Sequence, residues 1–500
     1  MSAIDNRKST IVNRRGTVLV VVMVLVALSA MVAATLLFRM KAEISASAAG
    51  ANGEQAYAAA MSGLQQALAV LRSPDQSWQD NPELFQNQLV CDDGANKWYF
   101  TIYAASGDGK TLRYGLESEA GKVNLNTASE ATLRAMITKL FPAADADTLV
   151  DSLLDWREPA SKPPRAHGAK QEYYDSLKYP YLMKGGPLGT LDELLLVKGY
   201  NAQIVYGEDA NLNGILDPNE DDGDKAFPPD NSDGQLDLGL MGVATVVTHE
   251  MNVDSTGQPR ININGTDADL RKLAGAGLSK ETIKFITTYR QEGNVFKHPA
   301  ELLDMEYKLK KQPAPTPGPA PTPPSGRGRG RRGSLPPAPT PPPQQEVTIK
   351  SAVGPDELPA VLDKLTSVPG GKQSQLAGLV DINNATADVL SFLPGFDDNL
   401  AKAVVDGRPV DPTKKSTIAW LYTENLVSAD KFKQMAPYLT ARSYQYRVRC
   451  MGFGSPCGRI RVIEAIVDLA GATPRIAYMR DITRLGLPAP VDVDQQGYLK

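Results

Sequence analysis

The chain begins with a long apolar segment that follows a group of basic residues. No charged residue lies between Thr17 and Phe38. The basic residues before it are Arg7, Lys8, Arg14 and Arg15. A helix of this length crosses about 30 Å of hydrocarbon. The excess of positive charge predicts that the N-terminus stays in the cytoplasm and that the chain after Phe38 lies in the periplasm.

The helical pattern continues beyond the apolar segment. Residues 42–72 are rich in alanine, and their large apolar residues recur every three or four positions. These residues are Tyr57, Met61, Leu64, Leu68 and Leu71. The spacing predicts an amphipathic helix with these side chains on its buried face. We therefore expect one helix over residues 17–72.

Three interpretations of the N-terminal segment remain open. It is a secretory signal cut near Ala27–Ala30, a simple membrane anchor, or a prepilin leader cut between Gly16 and Thr17. The apolar part of a secretory signal is shorter, about 7–15 residues, and unrelated structure normally follows it. The continuous helix favours a leader over residues 1–16, a pattern that resembles type IV pilins and pseudopilins.

Strand-like segments occur on both sides of a long central region. They are Lys97–Ala105, Leu112–Asn126, Tyr444–Phe453, Gly458–Leu469 and Arg475–Thr483. Aromatic and β-branched residues with turn signals between them predict strands, whereas residues 73–96 resemble a loop. The expected fold class is α+β, with a pilin-like helix and a small antiparallel sheet. Residues 73–119 and 440–500 would form this sheet around a large, mainly helical insertion.

The central region contains an internal repeat in three copies. The copies are Val123–Met136, Ile261–Arg290 and Val380–Arg408. Each begins with a hydrophobic residue and Asn, except for Val380–Asp381 in the third, and continues as two helical segments joined by a turn. The Asn and Thr residues suit helix N-caps, and glycine suits the turns. The pattern predicts helix-hairpin-helix, or SAM-like, repeats in residues 120–311 and 347–439.

A helix-hairpin-helix motif can bind DNA through backbone amides that contact a phosphate. Only the second copy has the Gly-x-Gly turn, at Gly275–Gly277. In the third copy, two carboxylates, Asp397 and Asp398, follow the turn and would repel a phosphate. The sequence therefore favours a packing role and no nucleic-acid partner.

Proline dominates residues 312–346. The stretch Gln312–Gln345 has too few apolar residues to form a core, so it predicts an extended linker. Its four arginines, Arg327, Arg329, Arg331 and Arg332, could contact anionic lipid or nucleic acid. A solvated linker is the favoured interpretation.

The segment Asp209–Glu220 matches the template of a calcium-binding loop. The six ligand positions are filled by Asp209, Asn211, Asn213, Ile215 through its carbonyl, Asp217 and Glu220. Gly214 lies at the sixth position, where such a loop turns sharply. Calcium prefers oxygen ligands, so the pattern predicts a structural Ca²⁺ site, while the alternative is an acidic surface turn. Asp230–Asp237 is a weaker candidate for a second site.

Composition narrows the range of functions. The chain has 500 residues and a net charge of -4, which is too mild to indicate a nucleic-acid binder. Three cysteines exclude a dense disulfide scaffold. Cys450 and Cys457 bracket a turn, so they form either a disulfide or a pair of small apolar side chains.

Known catalytic patterns are missing from the sequence. There are three histidines, and none has a second ligand at metal-binding spacing. No nucleophile elbow, P-loop or dinucleotide fingerprint occurs. We expect neither enzymatic activity nor a small-molecule substrate.

Several stretches together resemble the minor pseudopilin K family of type II secretion systems, also called general secretion pathway protein K. They are Arg14–Val22, Leu116–Asn126, Leu149–Glu158, Gly186–Gly199 and Ala477–Gly486. The resemblance implies a pilin-like fold with a helical insertion, calcium binding, cleavage by a prepilin peptidase and N-methylation of Thr17. It also implies the inner membrane as the location and minor pseudopilins I and J as partners.

The resemblance also bears on the fifth residue after Gly16. Most pilins carry Glu there, and that acid is thought to pair with the N-terminal amine of a neighbouring subunit. Val21 occupies the position here. A subunit at the tip has no neighbour above it, so an acid would be buried without a partner. The expected function is therefore to initiate or cap the pseudopilus for protein secretion.

Two alternative functions remain. One is a minor pilin for DNA uptake or adhesion, which would bind nucleic acid through the helix-hairpin-helix copies. The other is a membrane-anchored binding protein without a role in a filament.

Overall fold

The computed structural model describes residues 14–73, 77–106, 109–225, 229–310, 346–369, 375–471 and 473–488. The chain forms two compact units. The first contains the residues up to Leu116, Val448–Ala465 and the residues from Tyr478 onward. The second contains Glu117–Arg447 and Ile466–Ala477. Most of the predicted leader and the proline-rich stretch 312–345 lie outside the described residues.

A single helix, α1, runs from Arg14 to Arg72 in the first unit. Its first half is fully exposed, because no other described element covers residues 16–48. The second half buries a stripe of small residues. The most buried positions are Gly53, Ala56, Ala59, Ala60, Gly63, Leu64, Ala67 and Val70. The predicted buried face was thus wrong except for Leu64, since Tyr57, Met61, Leu68 and Leu71 are only half-buried.

The first unit also contains a short helix and most of an antiparallel sheet. The elements wholly in this unit are α2 Pro82–Phe85, β1 Gln88–Asp92, β2 Lys97–Ala105 and β3 Leu112–Arg113. Those partly in it are β15 Gln445–Ser455, β16 Ile460–Asp468 and β17 Arg475–Asp481. The strand order is β1-β2-β15-β16-β17, and β3 pairs with β2. Four of the five predicted strands are confirmed to within a few residues.

The fifth predicted strand and the predicted loop are wrong. Leu112–Asn126 is divided into short strands and a turn of 3₁₀ helix, Glu119–Gly121. The backbone of Gln79 lies close to the chain just after the first of these strands, where a Cβ at Gly115 would overlap it. Residues 73–96 contain α2 and β1, and β1 shows no buried-exposed alternation by which the sequence could reveal it.

Small residues let α1 lie close to the sheet. A Cβ at Gly63 would lie 2.8 Å from the ring of Phe100 and would overlap Sγ of Cys450. Across the interface, a Cβ at Gly452 would meet the backbone of Ala56 and Ala60. Close packing therefore requires glycine on both surfaces.

Cys450 and Cys457 are free thiols, so the disulfide considered from the sequence is not formed. Cys450 lies within β15, whereas Cys457 follows the end of that strand. Sγ of Cys457 lies 3.6 Å from the carbonyl oxygen of Gly454. Four residue steps of extended strand, roughly 13 Å, separate Gly454 from Cys450, which is too far for a bridge. Cys450 is buried against α1 and acts as a small apolar side chain.

The second unit combines many short helices with short strand pairs. Its helices are α3 Glu130–Leu140, α4 Ala146–Trp156, α5 Gln171–Asp175, α6 Ala202–Tyr206, α7 Leu240–Val243, α8 Asp267–Lys272, α9 Lys280–Gln291, α10 Leu358–Lys364, α11 Ala387–Ser391, α12 Asp398–Asp406, α13 Pro412–Lys415, α14 Trp420–Thr423 and α15 Ala429–Met435. Its strands are β4 Glu117–Ser118, β5 Val123–Asn124, β6 Ala244–Thr245, β7 His249–Met251, β8 Ile261–Asn262, β9 Glu306–Lys310, β10 Glu346–Lys350, β11 Leu365–Thr366, β12 Gln375–Ala377, β13 Val380–Asp381 and β14 Leu439–Thr440.

Three modules of the same architecture form this unit. In each, a two-residue strand leads into two helices joined by a turn. The helix pairs are α3 and α4, α8 and α9, and α11 and α12. Each first strand pairs in parallel with a later strand, as β5 with β6, β8 with β11, and β13 with β14. The predicted repeats therefore share one structure, while their assignment to the helix-hairpin-helix class stays a prediction.

One asparagine in each module joins three parts of the chain. Asn126, Asn264 and Asn383 each lie three positions after the first residue of the leading strand. The Nδ2 group of Asn126 donates to the carbonyls of Leu188 and Val246, 3.0 Å away in both cases. Asn and Thr residues of the repeats were expected to be N-caps, and the caps of the first helices are Ser129, Thr266 and Thr386. For these helices the expectation is confirmed for Thr and wrong for Asn.

Candidate functional site

The predicted processing junction lies at the start of α1. Gly16 and Thr17 are both exposed and helical, and a Cβ at Gly16 would meet no atom within 4 Å. Among the described residues, one helix, Gly16–Arg72, is apolar and long enough to cross a membrane, with a mean hydropathy of 2.8 over its most apolar window. A cleavable signal sequence near the N-terminus would meet the same criteria of length and hydropathy.

The acidic loop Asp209–Glu220 follows α6 in the second unit. A 3₁₀ turn, Gly223–Lys225, comes after it, so a pair of long flanking helices is not part of the described structure here. Leu212 and Gly214 have positive φ angles of 59° and 75°. These left-handed residues turn the chain back on itself and bring the predicted ligand residues together.

Amide hydrogens hold the carboxylates of the loop in place. The amide of Asn213 donates to Oδ1 of Asp209 over 3.0 Å, and the amide of Gly214 donates to Oδ2 over 2.9 Å. Glu220 accepts from the amides of Ala210 and Asp217. Both acidic side chains at the ends of the loop are thus oriented by backbone donors and are almost fully buried.

Two amide side chains complete the centre of the loop. Nδ2 of Asn211 and Nδ2 of Asn213 both donate to Oδ2 of Asp217, over 2.7 Å and 2.9 Å. The carboxylate of Asp217 therefore lies close to two of the predicted ligands. Ile215 is half-buried in the same turn.

The charge of the loop is unfavourable without a cation. Burial, together with the nearby carboxylates of Asp209 and Asp217, raises the pKa of Glu220 to about 7. Backbone hydrogen bonds oppose this effect without cancelling it. A bound cation would reverse the effect, because it stabilises the ionised carboxylate.

The donor set matches calcium in its chemistry. Three carboxylates, two amide oxygens and one carbonyl are all hard oxygen ligands. Among the described residues, however, no group of three or more His, Cys, Asp and Glu side chains is arranged to hold a metal ion. An ion here would therefore depend on the asparagines and on the Ile215 carbonyl as well as on the acids.

The second acidic element, Asp230–Asp237, forms a network of its own. The carboxylate of Asp230 accepts hydrogen bonds from the amides of Asp222, Gly223 and Ser232. Asn231 donates to Asp237 over 3.0 Å. Internal donors thus satisfy much of this element, which makes it the weaker candidate for a metal site.

The Gly-x-Gly turn of the second module lies before the N-terminus of α9. Gly277 has a φ of 73°. Ser279 caps α9, and its amide donates to Oε1 of Glu357 over 2.5 Å. Thr282 donates through its hydroxyl to Oε2 of the same carboxylate over 2.8 Å.

Glu357 thus occupies the position at which a helix N-terminus would bind an external anion. A carboxylate from the same chain satisfies the donors that a phosphate would need. The structure gives the DNA-binding alternative no support. Glu357 was not predicted from the sequence, because this residue lies far along the chain from the turn and no local motif marks it.

Comparison with known proteins agrees with the resemblance. Residues 113–206 match the family model described as "Type II secretion system (T2SS), protein K". The match covers the first module and ends just before the acidic loop. It falls on the part of the chain that carries most of the resemblance to protein K and supports it. No curated protein matches the chain.

A solved structure also matches with low sequence identity. It is the crystal structure of the GspK-GspI-GspJ complex from the enterotoxigenic Escherichia coli type 2 secretion system. The identity is 11%, the TM-score is 0.40, and the match covers 89% of this chain and 99% of that one. At this TM-score the similarity carries no argument about function.

Proposed function

We propose that the protein is a minor pseudopilin of the K type that initiates or caps the pseudopilus of a type II secretion system. The family match over residues 113–206 carries this proposal. It is supported by α1, a single helix that begins at Arg14 and then packs against an antiparallel sheet. The protein would act by assembly in the inner membrane, with most of its chain in the periplasm and without catalysis.

Val21 supports a position at the tip. The side chain is exposed on α1 and lies five residues after Gly16. In a bundle of apolar helices, an acid at this position would need a cationic partner to offset the cost of its burial. A terminal subunit without a neighbour above it has no such partner, and valine avoids the cost. The partners would be the minor pseudopilins I and J.

Mass spectrometry of the mature N-terminus tests the membership in the pilin class. We expect a chain that starts at Thr17 and carries one methyl group, in cells that contain the prepilin peptidase. Cells without the peptidase should retain residues 1–16. A mature chain that starts near Met31 would show cleavage of a signal peptide and would contradict the proposal.

Labelling of assembled filaments tests whether the protein lies at the tip of the pseudopilus. A gold-labelled antibody against the second unit should mark one end of each pseudopilus. Labels repeated along the length would contradict the capping role, whatever the result at the N-terminus. Co-purification of I and J with the full chain tests the partners independently.

The acidic loop would hold a structural calcium ion in this function. The proposal rests on the six matched ligand positions and on the raised pKa of Glu220. An ion would cross-link a long irregular segment in which the described residues form few regular elements.

A further inference from the structure

A cavity of about 270 Å³ lies between the second and third modules of the second unit. One wall is apolar and consists of Leu362, Leu365, Leu379, Ile418 and Leu439. The other wall is polar and includes Arg260, Lys297 and His298. The volume is near the lower limit of small-molecule sites, which are typically about 300–1,000 Å³.

The polar wall presents hydrogen-bond donors without acceptors. Arg260 donates through Nη2 to Glu250 over 2.9 Å and through Nε to the Asp363 carbonyl over 3.0 Å. Its Nη1 group has no acceptor within the described part of the chain, and neither has Nζ of Lys297. Both groups belong to residues that line the cavity.

His298 adds a third donor. Its Nδ1 accepts the amide hydrogen of Ala300 over 3.1 Å, so the ring proton lies on Nε2. Burial and the charge of Arg260 lower the pKa of His298 to about 4, and the ring is therefore neutral at pH 7. Nε2 has no acceptor among the described residues.

The acidic groups at the cavity are already paired. Glu250 is buried and accepts hydrogen bonds from Arg260 and from the hydroxyl of Thr440, the latter over 2.7 Å. Arg442, which also lines the cavity, forms an ion pair with Asp363, a residue outside the lining. These pairs leave Lys297 as a cation without a counter-ion among the described residues, so the polar wall favours an anion.

We propose that this cavity binds a carboxylate that is attached to a short apolar chain. The carboxylate accepts from Arg260, Lys297 and His298, and the apolar chain contacts the leucine-rich wall. Two sources have this chemistry: the C-terminal residue of a peptide and a short fatty acid. Binding of either would be separate from assembly into a filament.

Isothermal titration with the full chain in lipid nanodiscs tests the proposal. The probes are octanoate and acetyl-Leu-Leu with a free carboxylate, each compared with its uncharged analogue, octanol or the peptide amide. We expect at least one acid to bind about tenfold more tightly than its analogue, with an affinity that falls as salt rises. The tighter of the two acids identifies the source.

Two variants and their controls locate the binding. Lys297→Gln should weaken binding about threefold to tenfold and reduce its salt dependence. Val368→Trp should abolish it, since Val368 is 46% exposed on the rim and a larger side chain would fill the opening. The controls are Val410→Trp and Lys402→Gln, which change residues outside the cavity lining and should leave binding unchanged. Val410 is 92% exposed.

Three results would overturn the proposal. The first is that neither acid binds at a concentration of about 1 mM. The second is that each acid and its uncharged analogue bind equally well. The third is that Val368→Trp does not alter the affinity. Circular dichroism of each variant confirms that the fold is retained.

Discussion

Three equivalent asparagines decide how the modules of the second unit close. Oδ1 of Asn126 accepts the amide of Leu188 over 2.7 Å, and Oδ1 of Asn264 accepts the amide of Phe296 over 2.9 Å. Oδ1 of Asn383 is buried and has no hydrogen-bond partner among the residues that the structure describes. The sequence shows three similar residues, but only the structure shows that the third makes fewer bonds.

This difference predicts an order of stability losses. Asn126→Ala and Asn264→Ala each remove three side-chain hydrogen bonds, so each should lower the free energy of unfolding by about 2–3 kcal/mol. Asn383→Ala removes two bonds together with an unsatisfied oxygen and should cost about 1 kcal/mol. Urea unfolding of the full chain in detergent measures all three. Equal losses would contradict this account.

Glu220 predicts a pH dependence that calcium should change. Its folded pKa is about 7, above the ordinary value of 4.5, so the folded state holds a proton that the unfolded state releases. Without calcium, stability should therefore fall as the pH rises from about 4.5 to 7. Calcium at 100 times its Kd should add about 2.7 kcal/mol and should act most strongly near pH 7.

Glu220→Gln is the matched control for this prediction. It should remove the fall between pH 4.5 and 7 and most of the response to calcium. Thermal unfolding in chelator and in calcium measures both effects. A response to calcium that survives in Glu220→Gln would place the ion elsewhere.

At the scale of elements, the local residue pattern predicted where helices and strands lie better than it predicted which of their faces are buried. Strand β2 was predicted with its observed bounds because aromatic and β-branched residues dominate it. The buried face of α1 was not predicted, since hydrophobicity favours large side chains. The helix–sheet interface instead selects for small ones.

The close approach of α1 to the sheet predicts opposite effects at two glycines. Gly63→Ala should destabilise the first unit by about 1–3 kcal/mol, because its Cβ would overlap Cys450 and Phe100. Gly50→Ala should stabilise α1 by about 0.5–1 kcal/mol, because its Cβ meets nothing within 4 Å. Differential scanning fluorimetry of both variants checks the signs. If Gly63→Ala leaves the stability unchanged, the packing of α1 against the sheet is looser than described.

The proline-rich stretch joins two paired strands. Lys310 of β9 pairs with Glu346 of β10, so the two residues that flank this stretch lie at neighbouring positions. Replacement of residues 311–345 by Asn-Gly should leave the second unit folded and stabilise it by roughly 2 kcal/mol through a shorter loop. Thermal unfolding and secretion of a reporter protein check this. Loss of secretion with an intact fold would give the linker a function of its own.

At the scale of the whole molecule, Val21 links the sequence to the proposed position in the filament. Val21→Glu places an acid in an apolar helix without a partner, at a cost of about 2–3 kcal/mol. We expect less co-purified I and J and slower secretion, with Val21→Ile as the matched control. Full assembly with the acid present would contradict a tip position.

The sequence by itself determined the elements whose signal is local. These are the apolar helix, four of the five predicted strands, the three repeats and the order of oxygen-bearing residues in the acidic loop, each of which depends on residues close in the chain. Tertiary structure alone decided the small-residue face of α1, the free thiols, the Asn contacts and the carboxylate of Glu357 at α9. Each of these depends on groups far apart in the chain, whose distances follow from packing and not from spacing.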